Sequence, residues 1–179
     1  MLRSLRFYLS TLLGTVLLAG CCANNVCDCQ DSQADAFYFK FLVDDTGANP
    51  LAFRSSEVDT VWMLRFALPL STAARPPRDS VGFIRPAAQA GEPITLNNAA
   101  PFAAATNLKL HRYEYELQFR DRSRMLRRFR VRNIALQGAF EADGCCTCYR
   151  NSRKAAEVNG QTYDTTETNQ QPVVITLGR

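Results

Sequence analysis

The stretch LKLHRYEYELQF, residues 108–119, has the clearest structural pattern in the chain. Its ring-bearing and apolar side chains alternate with charged and polar ones, and this period of two is typical of a β-strand with one buried face. The side chains on the apolar face are His111, Tyr113, Tyr115, Leu117 and Phe119. We therefore predict a strand here, with His111 on the packed face or at the rim of the core.

The segment MLRRFRVR, residues 125–132, continues this pattern after a turn at residues 120–124. The two segments predict an antiparallel hairpin in which the apolar side chains of both strands share one face. The register then gives these opposed pairs: Leu117 with Phe129, Tyr115 with Val131, Glu116 with Arg130, and Glu114 with Arg132. Each opposed pair of opposite charges contributes about 0.2–1 kcal/mol to the stability of the hairpin.

Short apolar segments flank the hairpin on both sides, and stretches rich in Gly, Pro, Asn and Asp between them predict turns. The further strand candidates are residues 36–43, 58–68, 80–85, 94–97, 134–140, both sides of Asn159-Gly160, and 172–177. The segment 58–68 is a continuous apolar run with Trp62 inside it, which predicts a strand buried on both faces. About eight or nine short strands with little helix predict a mainly β protein, an antiparallel β-sandwich that is immunoglobulin-like or similar.

Two local signals refine this outline. The apolar positions change parity near Asn133, which predicts a β-bulge or a strand that switches sheets. Asn159-Gly160 lies between two short strand candidates and is a strong signal for a type I′ hairpin turn. Residues 141–144 (EADG) read as a turn, and residues 71–79 (STAARPPRD) as a Pro-rich loop.

Seven arginines lie within residues 120–132, with Asp121 as the only acidic residue among them. Guanidinium groups bind the oxygens of phosphate and carboxylate groups through paired hydrogen bonds. The candidate anion-binding residues are Arg120, Arg122, Arg124, Arg127 and Arg128. Their ligand would be a phosphate-bearing lipid headgroup, an acidic glycan or another polyanion. Two other interpretations stay open, namely a solvated hairpin face and a contact with a partner protein.

The composition excludes several classes of protein. Of the 179 residues, 46% are hydrophobic and 21% are charged, and the formal net charge is +4. These values exclude collagen, low-complexity disorder and a coiled coil, and the charge is too small to indicate nucleic-acid binding. The chain has one His and none of the GxSxG, HExxH, P-loop or dinucleotide-binding motifs. We therefore expect that the protein is not an enzyme and has no cofactor and no nucleic-acid partner. Because Asp and Glu residues are scattered along the chain, a hydrolase of the cell envelope is a third hypothesis.

The N-terminus has the plan of a secretory signal, with Arg3 and Arg6 followed by an uncharged apolar run up to Ala19. This run is shorter than the ~20 residues that a membrane-spanning helix needs. It ends in Leu18-Ala19-Gly20-Cys21, which resembles the lipobox of bacterial lipoproteins. The resemblance implies cleavage before Cys21, a diacylglycerol on its sulfur and a further acyl chain such as palmitate, which together anchor a protein stably to a membrane.

The resemblance also implies a domain plan and a location. Residues 1–20 would be the cleaved signal peptide, residues 21–35 the lipidated Cys and a polar tether, and residues 36–179 a single β-sandwich domain. In the enterobacterial sorting rule, an Asp after the lipidated Cys retains a lipoprotein in the inner membrane. Cys22 stands at that position. We therefore expect a lipid-anchored protein of the bacterial outer membrane, on its periplasmic or its surface face.

The remaining cysteines form two groups of three: Cys22, Cys27 and Cys29, and Cys145, Cys146 and Cys148. An even number of cysteines in an oxidising compartment favours disulfides, and six cysteines allow fifteen pairings. Bridges within one group would be tight, so we expect bridges between the groups. The alternative is a thiolate site for Zn²⁺ or Cu(I), or a redox-active set, at Cys27, Cys29, Cys145, Cys146 and Cys148.

These expectations define a lipid-anchored, non-catalytic β domain, stapled by disulfides near its membrane-proximal end. It would act as a binding or structural module whose partner is an envelope glycan, an anionic lipid or a protein. Loops at the opposite end, such as residues 71–79, would make the contacts. The alternative function is a thiolate metal-binding or redox protein that uses the two cysteine groups.

Overall fold

A computed structural model describes the chain at residues 27, 29, 31–68, 78–102, 109–167 and 171–179. Within these residues nine strands form two sheets. The strands are β1 (Phe37–Phe41), β2 (Thr60–Ala67), β3 (Arg78–Ile84), β4 (Ile94–Leu96), β5 (Tyr113–Arg120), β6 (Leu126–Asp143), β7 (Cys146–Val158), β8 (Gln161–Asp164) and β9 (Val174–Leu177). The helical segments are α1 (Asp31–Ala34) and the 3₁₀ turns Ser55–Glu57, Ala87–Gln89 and Leu110–Arg112. The prediction of a mainly β protein with eight or nine strands and little helix is confirmed.

The larger sheet contains six strands in the order β3-β2-β5-β6-β7-β8, and all of its neighbours are antiparallel. The β5–β6 hairpin lies at its centre. Leu117 is opposite Phe129 and Glu116 is opposite Arg130, which is the predicted register. The apolar side chains of both strands therefore share the face that packs into the core, and the charged side chains share the outer face.

The smaller sheet has the order β4-β1-β9. Phe37, Phe39 and Phe41 alternate along β1 and are almost completely buried, as their period of two predicts. β1 pairs antiparallel with β4 but parallel with β9, so one pairing differs from a wholly antiparallel sandwich. A parallel pair needs a long connection between its strands, and here the whole larger sheet lies between β1 and β9 in the sequence.

The core lies between the inner faces of the two sheets. Phe41 of β1 packs edge-on against Phe119 of β5, with ring centroids 5.2 Å apart, and Phe53 contacts Phe119 at 5.0 Å. These three side chains are at most 2% exposed. Edge-to-face contacts of this kind join residues from both layers, which is the packing of a β-sandwich.

Trp62 differs from its prediction. Val61 and Met63 of β2 are fully buried, but Trp62 is 49% exposed. The reason is that Trp62 belongs to the outer face of the larger sheet, opposite Gln118 of β5, whereas Val61 and Met63 face the smaller sheet. β2 is thus buried chiefly on one face rather than on both.

Both predicted irregularities of the larger sheet are confirmed. The β6–β7 register shifts between Arg132 and Ala135, and Asn133 has a left-handed backbone with φ of +50°. At the β7–β8 turn, Asn159 and Gly160 have φ of +50° and +88°. A type I′ turn requires positive φ at both central positions, and Asn and Gly adopt it most readily.

Three other segments differ in detail from the sequence analysis. His111 is exposed in the 3₁₀ turn ahead of β5 instead of on the packed face, because the extended strand begins only at Tyr113. Residues 141–144 were expected as a turn, but β6 continues through residue 143. In the predicted loop 71–79, Arg78 and Asp79 belong to β3, and residues 71–77 lie outside the described residues.

Candidate functional site

The predicted anion-binding arginines surround the turn between β5 and β6, and Asp121 organises this turn. Asp121 Oδ1 accepts the backbone N–H groups of Ser123 at 2.9 Å and Met125 at 3.0 Å, and Oδ2 accepts Arg127 Nε at 2.8 Å. The N–H of Arg124, which has φ of +58°, donates to the Asp121 carbonyl at 2.8 Å. One carboxylate therefore holds the turn in a shape that only a few residue types adopt without strain.

Asp121 is buried and ionised. Burial by itself would raise its pKa, but the hydrogen bonds from the Arg127 side chain and the Met125 and Ser123 backbone outweigh burial. The pKa of Asp121 is consequently below its ordinary value. At neutral pH the carboxylate thus neutralises Arg127, one of the five arginines predicted to bind an anion.

Glu57 is a second buried carboxylate at this end of the sandwich. It accepts the N–H of Arg122 at 3.3 Å, the N–H of Arg54 at 2.7 Å, and two bonds from Arg179 Nη2 at 2.7 and 2.5 Å. Burial opposes its ionisation, but the bonds from Arg54 and Arg179 lower its pKa below the ordinary value. Glu57 therefore connects the turn between β5 and β6, called the arginine turn below, to the segment before β2.

Glu116 binds two arginines on the outer face of the β5–β6 hairpin. Its carboxylate lies 3.4 Å from Arg128 Nε and 3.1 Å from Arg130 Nε, and it also accepts a hydrogen bond from Gln118 Nε2. The predicted pair of Glu116 and Arg130 is thus confirmed. Because one carboxylate serves two guanidinium groups, this part of the face keeps a net positive charge.

The predicted pair of Glu114 and Arg132 is wrong. Arg132 Nη2 instead lies 2.6 Å from Glu157 Oε1, on the β7 side of β6. The reason is the β6–β7 pairing, in which Arg132 is directly opposite Glu157, and Asn133 Nδ2 also donates to Glu157 Oε2 at 2.7 Å.

The structure thus brings the five predicted arginines together at one end of the molecule and divides them by their partners. Arg127 and Arg128 contact carboxylates, and Arg120 Nη1 donates to the Arg124 carbonyl at 3.0 Å. Arg122 and Arg124 are exposed, and no ion pair or side-chain hydrogen bond reaches either guanidinium group within the described residues. These two side chains are available for an external anion.

The opposite end of β6 carries the cysteines. Cys27 is bonded to Cys146 and Cys29 to Cys148, with Cα atoms 5.5 and 5.3 Å apart. Both bridges join one sequence group to the other, as predicted, and Cys145 is disulfide-bonded as well. The bridges hold the segment before α1 against the start of β7.

A polar network beside the bridges also fixes the N-terminal segment, and the sequence analysis missed it. Asp35, expected to end a polar tether, is buried and accepts hydrogen bonds from Asn98 Nδ2 at 2.8 Å and Asn151 Nδ2 at 3.0 Å. Lys154, which is 1% exposed, donates to Glu167 Oε1 at 2.6 Å. The only sequence signal was a lysine among the apolar residues at the end of β7, which suggests a buried cation with a partner.

The five described cysteines are disulfide-bonded, and the sulfurs of a disulfide are not the thiolates that the alternative metal site requires. Among the described residues, the structure contains no group of three or more His, Cys, Asp or Glu side chains that could hold a metal ion. In the same residues, no helix is long and apolar enough to span a bilayer.

Comparison with known proteins gave no significant match to a protein family, a curated protein or a solved structure.

Proposed function

We propose that this chain is a lipid-anchored, non-catalytic module of the bacterial cell envelope that binds polyanions through its β5–β6 turn. The observation that supports this proposal is the position of the two ends of β6. Disulfides tie residues 27 and 29 to one end, and the arginines surround the other. Cys21 precedes Cys27 by only six residues. A lipid on Cys21 would therefore hold the disulfide end near the membrane.

The length of β6 then bears on the kind of polyanion. Its 18 residues, at about 3.3 Å each and shortened by the register shifts, separate the two ends by roughly 50 Å. Charges in water are screened over about 8 Å at physiological ionic strength. The headgroups of the anchoring membrane would thus barely attract Arg122 and Arg124. An acidic glycan of the envelope fits this position better than an anionic lipid.

The anchor at Cys21 makes a definite prediction for the cysteine pairing. Cys145 is disulfide-bonded, and four other cysteines are paired with one another. If Cys21 carries the lipid, only Cys22 is left for Cys145. Peptide mapping of the oxidised protein is expected to recover a Cys22–Cys145 linkage, and a Cys21–Cys145 linkage would contradict the anchor.

The anchor is tested by expressing the full chain in a bacterium with two membranes and labelled palmitate. Cys21→Ala should abolish the label and release the protein from the membrane fraction. The matched control, Cys22→Ser with Cys145→Ser, should keep both the label and the membrane attachment. Label lost in the control but kept in Cys21→Ala would overturn the assignment of the lipid to Cys21.

The anion site is tested with the same full chain in detergent micelles and heparin as the probe. Arg122→Gln with Arg124→Asn should weaken binding about tenfold, because these guanidinium groups have no other partner among the described residues. Asn at position 124 tolerates the positive φ of that residue. The charge-matched control is Arg112→Gln with Arg153→Gln, on exposed residues elsewhere. An equal loss in both double variants would show nonspecific attraction and contradict the proposal.

The thiolate alternative makes an opposite prediction for the purified protein. Our proposal expects an intact mass lower than that of the reduced chain by six hydrogens, with no free thiol after denaturation. Free thiols together with stoichiometric Zn or Cu would overturn it, and the cysteine groups would become the functional site.

A further inference from the structure

The outer face of the larger sheet carries the only tryptophan of the chain, Trp62. Its indole ring lies over Gly82 of the neighbouring strand β3. A Cβ atom at position 82 would lie 3.1–3.3 Å from three carbons of the six-membered ring, so glycine is what allows the ring to lie this low. Half of the Trp62 surface is nevertheless exposed, at 49%. The sheet thus presents an aromatic surface held on a rigid strand.

Polar groups continue from Trp62 across the sheet. In the strand register, Trp62 is opposite Gln118 of β5, and Gln118 is opposite Arg128 of β6. The next row on the same face contains Glu116 and Arg130. The side chains of Arg128 and Arg130 are 49% and 59% exposed, and both reach Glu116 through Nε. Their Nη groups make no hydrogen bond within the described residues.

We propose that this face, formed by Trp62, Gln118, Arg128 and Arg130, binds an acidic polysaccharide whose sugar rings carry carboxylates. One sugar ring would stack on Trp62, and a carboxylate of a following ring would bind the Nη groups of Arg128 or Arg130. The inference goes beyond the proposed function, because it assigns a second surface, separate from the exposed arginines of the β5–β6 turn, and names the class of polyanion that this surface takes.

The chemistry of the face favours this ligand over other anions. The C–H groups of a pyranose ring are complementary to the electron-rich face of an indole. Neighbouring strands are about 4.8 Å apart, close to the length of one sugar repeat, so successive sugars can follow successive strands. Gln118 suits hydroxyl groups, and two guanidinium groups on one carboxylate leave a positive charge for an acid. Inorganic phosphate would bind the arginine side chains but would make no stacking contact with the Trp62 indole ring.

The experiment uses the fluorescence of Trp62, which reports this face alone because the chain has no other tryptophan. The full chain is titrated with polygalacturonate in micelles of a detergent without a sugar headgroup. We expect a saturable change in Trp62 emission. Dextran, which is neutral, and inorganic phosphate should give no saturable change at the same concentrations.

Variants separate the two parts of the face by calorimetry, which does not depend on fluorescence. Trp62→Ala should weaken polygalacturonate binding about tenfold, and Arg128→Gln about fivefold. Gly82→Val keeps the tryptophan but displaces its ring, so affinity should fall although the fluorophore remains. The control is Phe140→Ala, which removes another exposed aromatic side chain at the far end of β6 and should leave affinity unchanged.

Each outcome decides between the proposals. An unchanged Trp62 emission, or a Trp62→Ala variant that binds normally, would overturn this inference. An equal response to single-stranded DNA would overturn the assignment to glycans. Heparin binding that depends on Arg122 and Arg124 without a Trp62 response would leave the proposed function standing and remove only this inference. Polygalacturonate binding at Trp62 in a protein that carries no lipid would leave this inference standing and overturn the proposed lipid anchor.

Discussion

The two ends of β6 are held by different chemistry. At the far end, Cys27 and Cys29 bind covalently to the start of β7. The near end is the turn between β5 and β6, where the described residues include no cysteine and the buried carboxylates of Glu57 and Asp121 bind backbone N–H groups and guanidinium groups. Each end is a turn rich in polar groups that contributes little to the apolar core. Both ends are therefore stabilised by contacts other than apolar packing.

This difference separates the sensitivities of the two ends. A disulfide in a structural role does not titrate, so the bridges at the cysteine end should be indifferent to acid and sensitive to reductant. The carboxylates have the opposite dependence, because their hydrogen bonds require the charged form. A condition that loosens one end should therefore leave the other in place, and the following predictions break or sharpen this contrast.

Reduction of all disulfides is expected to have the largest effect on stability. Each described bridge spans 119 residues, and loop-closure entropy gives about 4–5 kcal/mol for the first bridge of that length. Cys27→Ser with Cys146→Ser should cost only about 1 kcal/mol, because Cys29–Cys148 still closes nearly the same loop. Urea unfolding with and without reductant measures both. Equal costs would show that the bridges act locally and not through loop closure.

Glu57→Gln is expected to have the next largest effect. The buried carboxylate loses charged hydrogen bonds from Arg179, and such a loss costs about 2 kcal/mol. The matched control is Glu141→Gln, whose side chain is 61% exposed. An exposed pair of this kind should change stability by less than about 0.5 kcal/mol. Urea unfolding of the oxidised proteins compares them, and a similar small loss in both variants would mean that Glu57 does not hold the arginine end.

Mild acid should loosen the arginine end by less than the loss of Glu57. The pKa values of Asp121 and Glu57 are lowered in the folded protein, whereas unfolded carboxyl groups titrate near about 4. Their contribution to stability is thus complete above about pH 5 and is lost as the pH falls toward the folded pKa values. Hydrogen exchange at residues 121–125 should accelerate as the pH falls from about 5 to about 3, after correction for intrinsic rates. Asp121→Asn should reduce that acceleration, and exchange near Cys146 should not follow it.

Asn133→Ala is expected to have the smallest effect. The backbone of Asn133 has φ of +50°, and alanine in this left-handed region costs about 1 kcal/mol. Asn133→Gly keeps the backbone conformation and loses only the bond to Glu157, so the difference between the two variants isolates the backbone contribution. Thermal unfolding measures both. Equal losses in the two variants would show that the side-chain bond to Glu157, which both variants lack, and not the left-handed backbone accounts for the effect.

The sequence predicted those features that depend on local pattern. Alternation fixed the parity of β5 and β6, and the charges on the other parity made Glu116 opposite Arg130 the consistent register. Asn159-Gly160 specified its turn because only a few residue types accept two successive positive φ values. The cysteine groups predicted bridges between groups because bridges within one group would be tight.

The features that the sequence did not predict depend on long-range packing. Glu57 reaches Arg122 across 65 residues, and nothing near Glu57 marks it as a partner. The exposure of Trp62 depends on which face of the larger sheet the smaller sheet covers, and an apolar run does not encode that choice. Arg132 contacts Glu157 because β7 places that carboxylate directly opposite it, and the pattern of β5 and β6 does not encode the register of β7.

Because β1 pairs with β9, a chain that crosses a membrane N-terminus first would form this strand pair last. Tyr38 lies opposite Val174, so β1 would emerge early and remain without the last strand of the fold. Until β9 pairs with β1, one edge of β1 has no backbone partner, and the phenylalanines on its inner face are only partly packed. In an exported chain, the smaller sheet would therefore be completed only after β9 has crossed the membrane.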